Sequence, residues 1–165
     1  MTFFNYQDKI ISEIIKRLKY GYETEITSTI QDILDIVYIN YFSTISRLLV
    51  DRTVISVPLY PLKKRKRGFN QADIISRIIC NKFGLSLLAG GLQKIKNTGA
   101  QADLEKAQRE NNLKDCFSWD KKLTAPVKVL LVDDVFTTGT TMRECVKVLQ
   151  QNGVKDILIF VFASG

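Results

Sequence analysis

Residues 129–141, VLLVDDVFTTGTT, join an apolar run to two adjacent carboxylates and a threonine-rich turn. With Val127, the residues Val129, Leu130, Leu131 and Val132 make the near-continuous apolar stretch that a strand buried on both faces requires, and a strand is expected over 127–132. In open α/β sheets ligands bind beyond the carboxyl ends of strands, which here carry Asp133 and Asp134. Gly139 lets backbone approach a ligand closely, successive turn amides converge on one anion, and a helix from about Thr140 adds its positive end. Thr137, Thr138, Thr140 and Thr141 supply donors without charge, while Asp133 and Asp134 can accept from vicinal sugar hydroxyls. A ribose 5-phosphate satisfies both halves. The plainer alternative is that the acids end a strand and the threonines cap a helix. One cap explains one residue, not two acids, four threonines and a glycine in order.

The remaining pattern supports a parallel sheet. Strand, helix from about Thr140 to Gln151, a stop at Gly153 and strand Asp156 to Phe162 follow in α/β rhythm. Upstream, helices are expected over Gln7–Lys19 and Ser28–Leu49, the second with Ile30, Ile33, Leu34, Val37, Tyr41, Ile45 and Leu48 on one side and a break near Asn40. The strand TVISVPL, 53–59, empties into the basic run Lys63, Lys64, Arg65, Lys66, Arg67. A helix over Asn70–Phe83 and an extended 85–95 segment bent at Gly90-Gly91 come next. The polar stretch 96–113 reads as a mobile excursion of the kind that covers active sites. At 165 residues the chain is expected to form a single domain, 1–165, with residues 1–50 as its helical N-terminal part.

A formal charge of +7 with no histidine implies an anionic ligand or partner, and polyphosphate and nucleic acid fit it equally. There is no GxxxxGK[ST] and no GxGxxG, which removes nucleoside triphosphatases and dinucleotide-binding domains from consideration. Cys80, Cys116 and Cys145 are scattered and read as small core residues of a reducing compartment. The N-terminus lacks the uninterrupted apolar stretch of a signal peptide or membrane span, so a cytoplasmic protein without membrane insertion is expected.

Over thirteen positions the 129–141 run resembles the phosphoribosyl diphosphate (PRPP) motif of type I phosphoribosyltransferases. Two further blocks, 58–72 (PLYPLKKRKRGFNQA) and 92–117, are similar to the ComF family, phosphoribosyltransferase-like proteins tied to bacterial DNA uptake. The RGFNQ pentapeptide, Arg67–Gln71, is the most telling local feature, and the second block keeps the family spacing of Thr98, Gln101, Leu104, Arg109, Asn112 and Phe117. The 18–23 segment, LKYGYE, is similar to the family's N-terminal helix end. Two departures stand out. The first 79 residues hold no ligands for the four-cysteine zinc ribbon common in the family, and Lys94 replaces its usual arginine.

The resemblance implies an α/β fold, a type I phosphoribosyltransferase-like central parallel sheet flanked by helices, with N-terminal helices. It implies an enzyme transferring phosphoribose from PRPP to a base or amine with inversion, linked to DNA uptake. Asp133 and Asp134 would be catalytic and, with Thr137–Thr141, would hold the ribose phosphate. Arg67, Lys94 and Arg109 would bind the diphosphate, helped by amides of the loop after the first strand, and Mg2+ would be bound mainly through the substrate. The run Lys63–Arg67 is either a solvated face or an anion site, with single-stranded DNA among the anions. A non-enzymatic competence factor that keeps the fold and binds single-stranded DNA, or engages the uptake machinery, is the rival reading.

Overall fold

A computed structural model describes residues 2–5, 23–98 and 114–164. Five parallel strands form the central sheet: β1 (Thr2–Asn5), β2 (Thr53–Ser56), β3 (Ser86–Leu87), β6 (Lys128–Phe136) and β7 (Asp156–Ser164), in the order β1-β7-β6-β2-β3. A separate antiparallel ribbon joins β4 (Leu92–Lys94) to β5 (Phe117–Trp119), pairing Lys94 with Phe117. The helices are α1 (Glu23–Leu49), α2 (Pro61–Arg67), α3 (Gln71–Phe83) and α4 (Thr140–Gln151). Among the described residues no helix is long and apolar enough to cross a membrane.

The sheet is covered on both faces, which is why its middle strands read as unbroken apolar runs. On one face α1 and α3 bring Ile30, Leu34, Ile45, Ile75 and Ile79 against Val54, Leu130, Val132 and Phe162. On the other, α4 and the ribbon bring Met142, Cys145, Leu149, Leu92 and Trp119 against Ile55, Val129, Leu131 and Val161. Each such side chain contributes about 1.5–3 kcal/mol on burial. The parallel sheet flanked by helices matches the architecture the sequence implies.

Several local expectations are corrected. α1 runs through Asn40 unbroken because the Asn40 amide donates back to the Ile36 carbonyl at 2.7 Å instead of competing with the helix. Tyr41 and Leu48, expected inward, are exposed, and Leu49 takes the inward position at the end of the stripe. Val127 is 59% exposed and lies outside β6, which begins at Lys128 and continues past the acids to Phe136. Residues 2–5, expected in the helical N-terminal part, form β1; the strand expected over 53–59 stops at Ser56, and the basic run after it is helical: Pro61 presets the first turn and Gly68, at φ 89°, ends it. The expected Gln7–Lys19 helix lies outside the described residues.

Arg52 ties the amino ends of the strands to α1. Its Nε donates to the Leu48 carbonyl at 2.7 Å, Nη1 to the Val129 and Asp156 carbonyls, and Nη2 to Asp156 Oδ2 at 2.7 Å. The side chain is 11% exposed, so its loss strands several acceptors together. Arg52→Ala should lower unfolding free energy by about 2–3 kcal/mol in urea titration. Arg52→Lys should recover less than half of that, since an ammonium cannot reproduce the fork.

All three described thiols are buried and none forms a disulfide. Burial pushes Cys80 up to about 11 and raises Cys116 and Cys145 as well. Because the thiolate is the reactive form, a colourimetric disulfide reagent at pH 8 should label none of these three cysteines in the folded protein within minutes, and all of them in guanidinium.

Candidate functional site

Parallel pairing builds the site at one edge of the sheet. β2 and β6 run in register with Ser56 opposite Val132, so the backbone leaving β2 comes level with Asp133. Val57 then donates to the Val132 carbonyl at 2.8 Å, fixing the two exits to each other. The pleat sends Asp133 and Asp134 to opposite sides of β6. Each folds one oxygen onto backbone: Asp133 Oδ1 accepts from the Asp134 amide at 2.9 Å, and Asp134 Oδ1 from the Val135 amide at 3.0 Å.

Past Phe136 the chain turns through Thr137–Gly139 into α4. Gly139 takes the N-cap position at φ 72° and no side chain caps the helix. The threonines therefore do not serve as its cap, which removes the plainer explanation for them. Thr138 and Thr140 hydroxyls lie 3.0 Å apart, and Asp133 with residues 137–141 lines one small cavity of about 20 Å³. Threonine hydroxyls and a helix N-terminus without a side-chain cap meet at this cavity, a donor set suited to an anion. Asp134 is not among the lining residues.

The other residues singled out from sequence are distributed as follows. Lys94 ends β4 with its ammonium 5.4 Å from the Phe117 ring centre. Burial and then Lys63 hold it below the usual lysine value, while Asp133 is among the groups that raise it. Lys63, Lys94 and Asp133 thus share one electrostatic neighbourhood, and an arriving anion would relieve the crowded ammonium. Arg67 instead donates to Gln71 Oε1 at 2.8 Å, and Lys64 to Asp73 Oδ2 at 2.8 Å. Arg65 and Lys66 are exposed on α2. Arg109 lies outside the described residues, as do Gln101 and Asn112. The flanks of that stretch are held side by side, with Ile95 donating to the Cys116 carbonyl at 2.8 Å.

Two features escaped the sequence reading. Arg143, one turn into α4, donates from Nη2 to Thr140 Oγ1 at 3.2 Å and brings a cation to the turn. Its position three residues after the threonine, on the same helix face, was the available signal. The second is a partly buried polar cluster around Asp73, within and after RGFNQ.

Residues 65–165, more than half of the chain, match the family described as the phosphoribosyl transferase domain. Over 155 residues the chain is 32% identical to competence protein F of Haemophilus influenzae, covering 93% of this chain and 67% of that one. The chain belongs to the ComF family of the type I phosphoribosyltransferase superfamily. A further ComF relative, DNA utilization protein YhgH of Shigella flexneri, is 30% identical over 153 residues, covering 91% of this chain and 65% of that one. The chain spans about two thirds of the length of these curated relatives. Among solved structures, APRTase from Giardia lamblia complexed with 9-deazaadenine is 20% identical with a TM-score of 0.47, covering 90% of this chain and 71% of that one. In this ComF chain, the RGFNQ segment spans the end of α2, its Gly68 stop and the start of α3.

Proposed function

We propose that this ComF protein binds PRPP and transfers its phosphoribosyl group to a nitrogen base or another amine, releasing diphosphate, as part of DNA uptake. The observation that carries the reading is the turn after β6, where α4 begins uncapped beside two carboxylates and threonine hydroxyls. The 5-phosphate would sit on the amides and hydroxyls of 137–141, with Arg143 adjoining, and the ribose hydroxyls would donate to the carboxylates of Asp133 and Asp134. Lys63 and Lys94 would face the diphosphate. In transfer, the bond from the anomeric carbon to the diphosphate oxygen breaks, a bond to the acceptor nitrogen forms on the opposite face, and that nitrogen loses a proton. The protein's contribution is electrostatic, stabilising charge that develops on the leaving group.

The donor set suits Mg2+. Two carboxylates stand within β6 shortly before its carboxyl end, and among the described residues no group of three or more acidic, cysteine or histidine side chains forms a cage. Mg2+ commonly takes one or two carboxylates plus substrate phosphates. Mg2+ would be held mainly through the substrate, with Asp133 and Asp134 nearby, and would neutralise diphosphate charge.

The names of the relatives, a competence protein and a DNA utilization protein, support the uptake link. Buried thiols agree with a cytoplasmic setting. The exposure of Arg65 and Lys66 favours a second reading, a surface that binds single-stranded DNA beside the PRPP site. The decisive assay for turnover follows diphosphate release from PRPP and Mg2+ with a panel of purine, pyrimidine and simple amine acceptors. Acceptor-dependent release supports transfer. Binding without release from any acceptor contradicts it, and a fall in DNA affinity when Lys63–Arg67 are neutralised would favour the second reading.

A further inference from the structure

Asn70 occupies the N-cap position of α3, where an asparagine ordinarily accepts from the helix's free amides. It makes no such cap. Its side chain, on a residue only 5% exposed, donates instead to the Val57 carbonyl at 3.0 Å and to Asp73 Oδ1 at 3.1 Å. Asp73 also accepts from Ser56 Oγ at 2.5 Å and from Lys64 Nζ at 2.8 Å. One carboxylate therefore gathers the last residue of β2, a residue of α2 and the start of α3, while Asn70 holds the first carbonyl of the β2–α2 connector. Packing alone does not hold that connector. A cavity of about 180 Å³ lies beside it, bounded by Pro58, Leu59, Lys64, Asn70, Asp73 and Gly90. Val57 is held by its amide hydrogen bond to Val132, but without the polar cluster Pro58, Leu59 and Tyr60 have room to shift toward the cavity. Leu59 and Tyr60, between Pro58 and Pro61, keep amides that donate to no backbone carbonyl among the described residues.

We infer that Asp73, Asn70 and Ser56 form a positioning cluster that sets the β2–α2 connector for the diphosphate of PRPP, leaving the sugar-phosphate end to the turn after β6. The inference rests on the proposed PRPP reading and adds which residues tune one end of the site by positioning the connector. It gives the RGFNQ asparagine a role in place of a cap: a brace on Val57.

Calorimetric titration with PRPP plus Mg2+, and separately with ribose 5-phosphate, tests it on wild type, Asp73→Asn and Asn70→Ala. Asparagine at 73 keeps the shape but turns one acceptor into a donor facing Ser56, Asn70 or Lys64. PRPP affinity should fall by about tenfold or more in both variants, while ribose 5-phosphate affinity stays within about twofold. A merely structural role would lower both together, and that result overturns the inference, as does wild-type affinity for PRPP in the variants. A wild type that binds no PRPP overturns the functional reading and the inference with it, which separates the two failures. If either variant does not fold, Ser56→Ala carries the same comparison.

Discussion

Replacing Gly139 by alanine is expected to lower ribose 5-phosphate affinity by on the order of a hundredfold while leaving the fold in place. Two causes act on the same atom. The residue sits at φ 72°, where an L side chain is strained by about 1–2 kcal/mol. A Cβ built there would also lie 2.6 Å from Phe136 Cζ and 2.9 Å from Cε2. Phe136 is 37% exposed and its ring can swing away, so the core is spared, but the turn cannot relax without moving the amides that face the anion. Adding Phe136→Leu to Gly139→Ala removes the collision and keeps the backbone strain, so affinity should recover only in part. Full recovery would show that sterics alone set the turn.

The double variant Asp133→Asn/Asp134→Asn should lose PRPP binding by a factor of a hundred or more, measured by calorimetry with Mg2+, because two charge-assisted contacts to the ribose disappear together. The single variants should not be equal. Asp133 lines the cavity of the turn and acts electrostatically on Lys94, whereas Asp134 does not line it. Asp133→Asn is therefore expected to account for most of the loss. DNA affinity should be indifferent to both changes if the basic helix binds DNA independently.

The α/β architecture and the turn could be read in the chain because both are local. Val129–Val132 had to be covered on both sides, and the order of acids, threonines and glycine fits few other purposes. What could not be read depended on neighbours distant in sequence. Nothing in the spacing of KKRKR says that Lys64 and Arg67 are held by Asp73 and Gln71 while Lys63 belongs to the neighbourhood of Lys94 and Asp133. The stretch is a helix because Pro61 and Gly68 bracket it, a signal outweighed by its charge. Asn70 looked like an ordinary first helical residue, since only the proximity of the Val57 carbonyl diverts its side chain. Tyr41 and Leu48 fit the helical period but lie off the narrow stripe of Ile30, Leu34, Ile45 and Leu49 that meets α3 and the sheet.

On the proposed function, residues 133–141 hold a sugar phosphate. Phosphorus NMR of ribose 5-phosphate at millimolar concentration, titrated with the wild-type protein and with Gly139→Ala, addresses it without any assumption about turnover. A broadened and shifted phosphate resonance is expected with wild type and a nearly unperturbed one with the variant. An unperturbed resonance with both proteins, or equal perturbation by both, would contradict it.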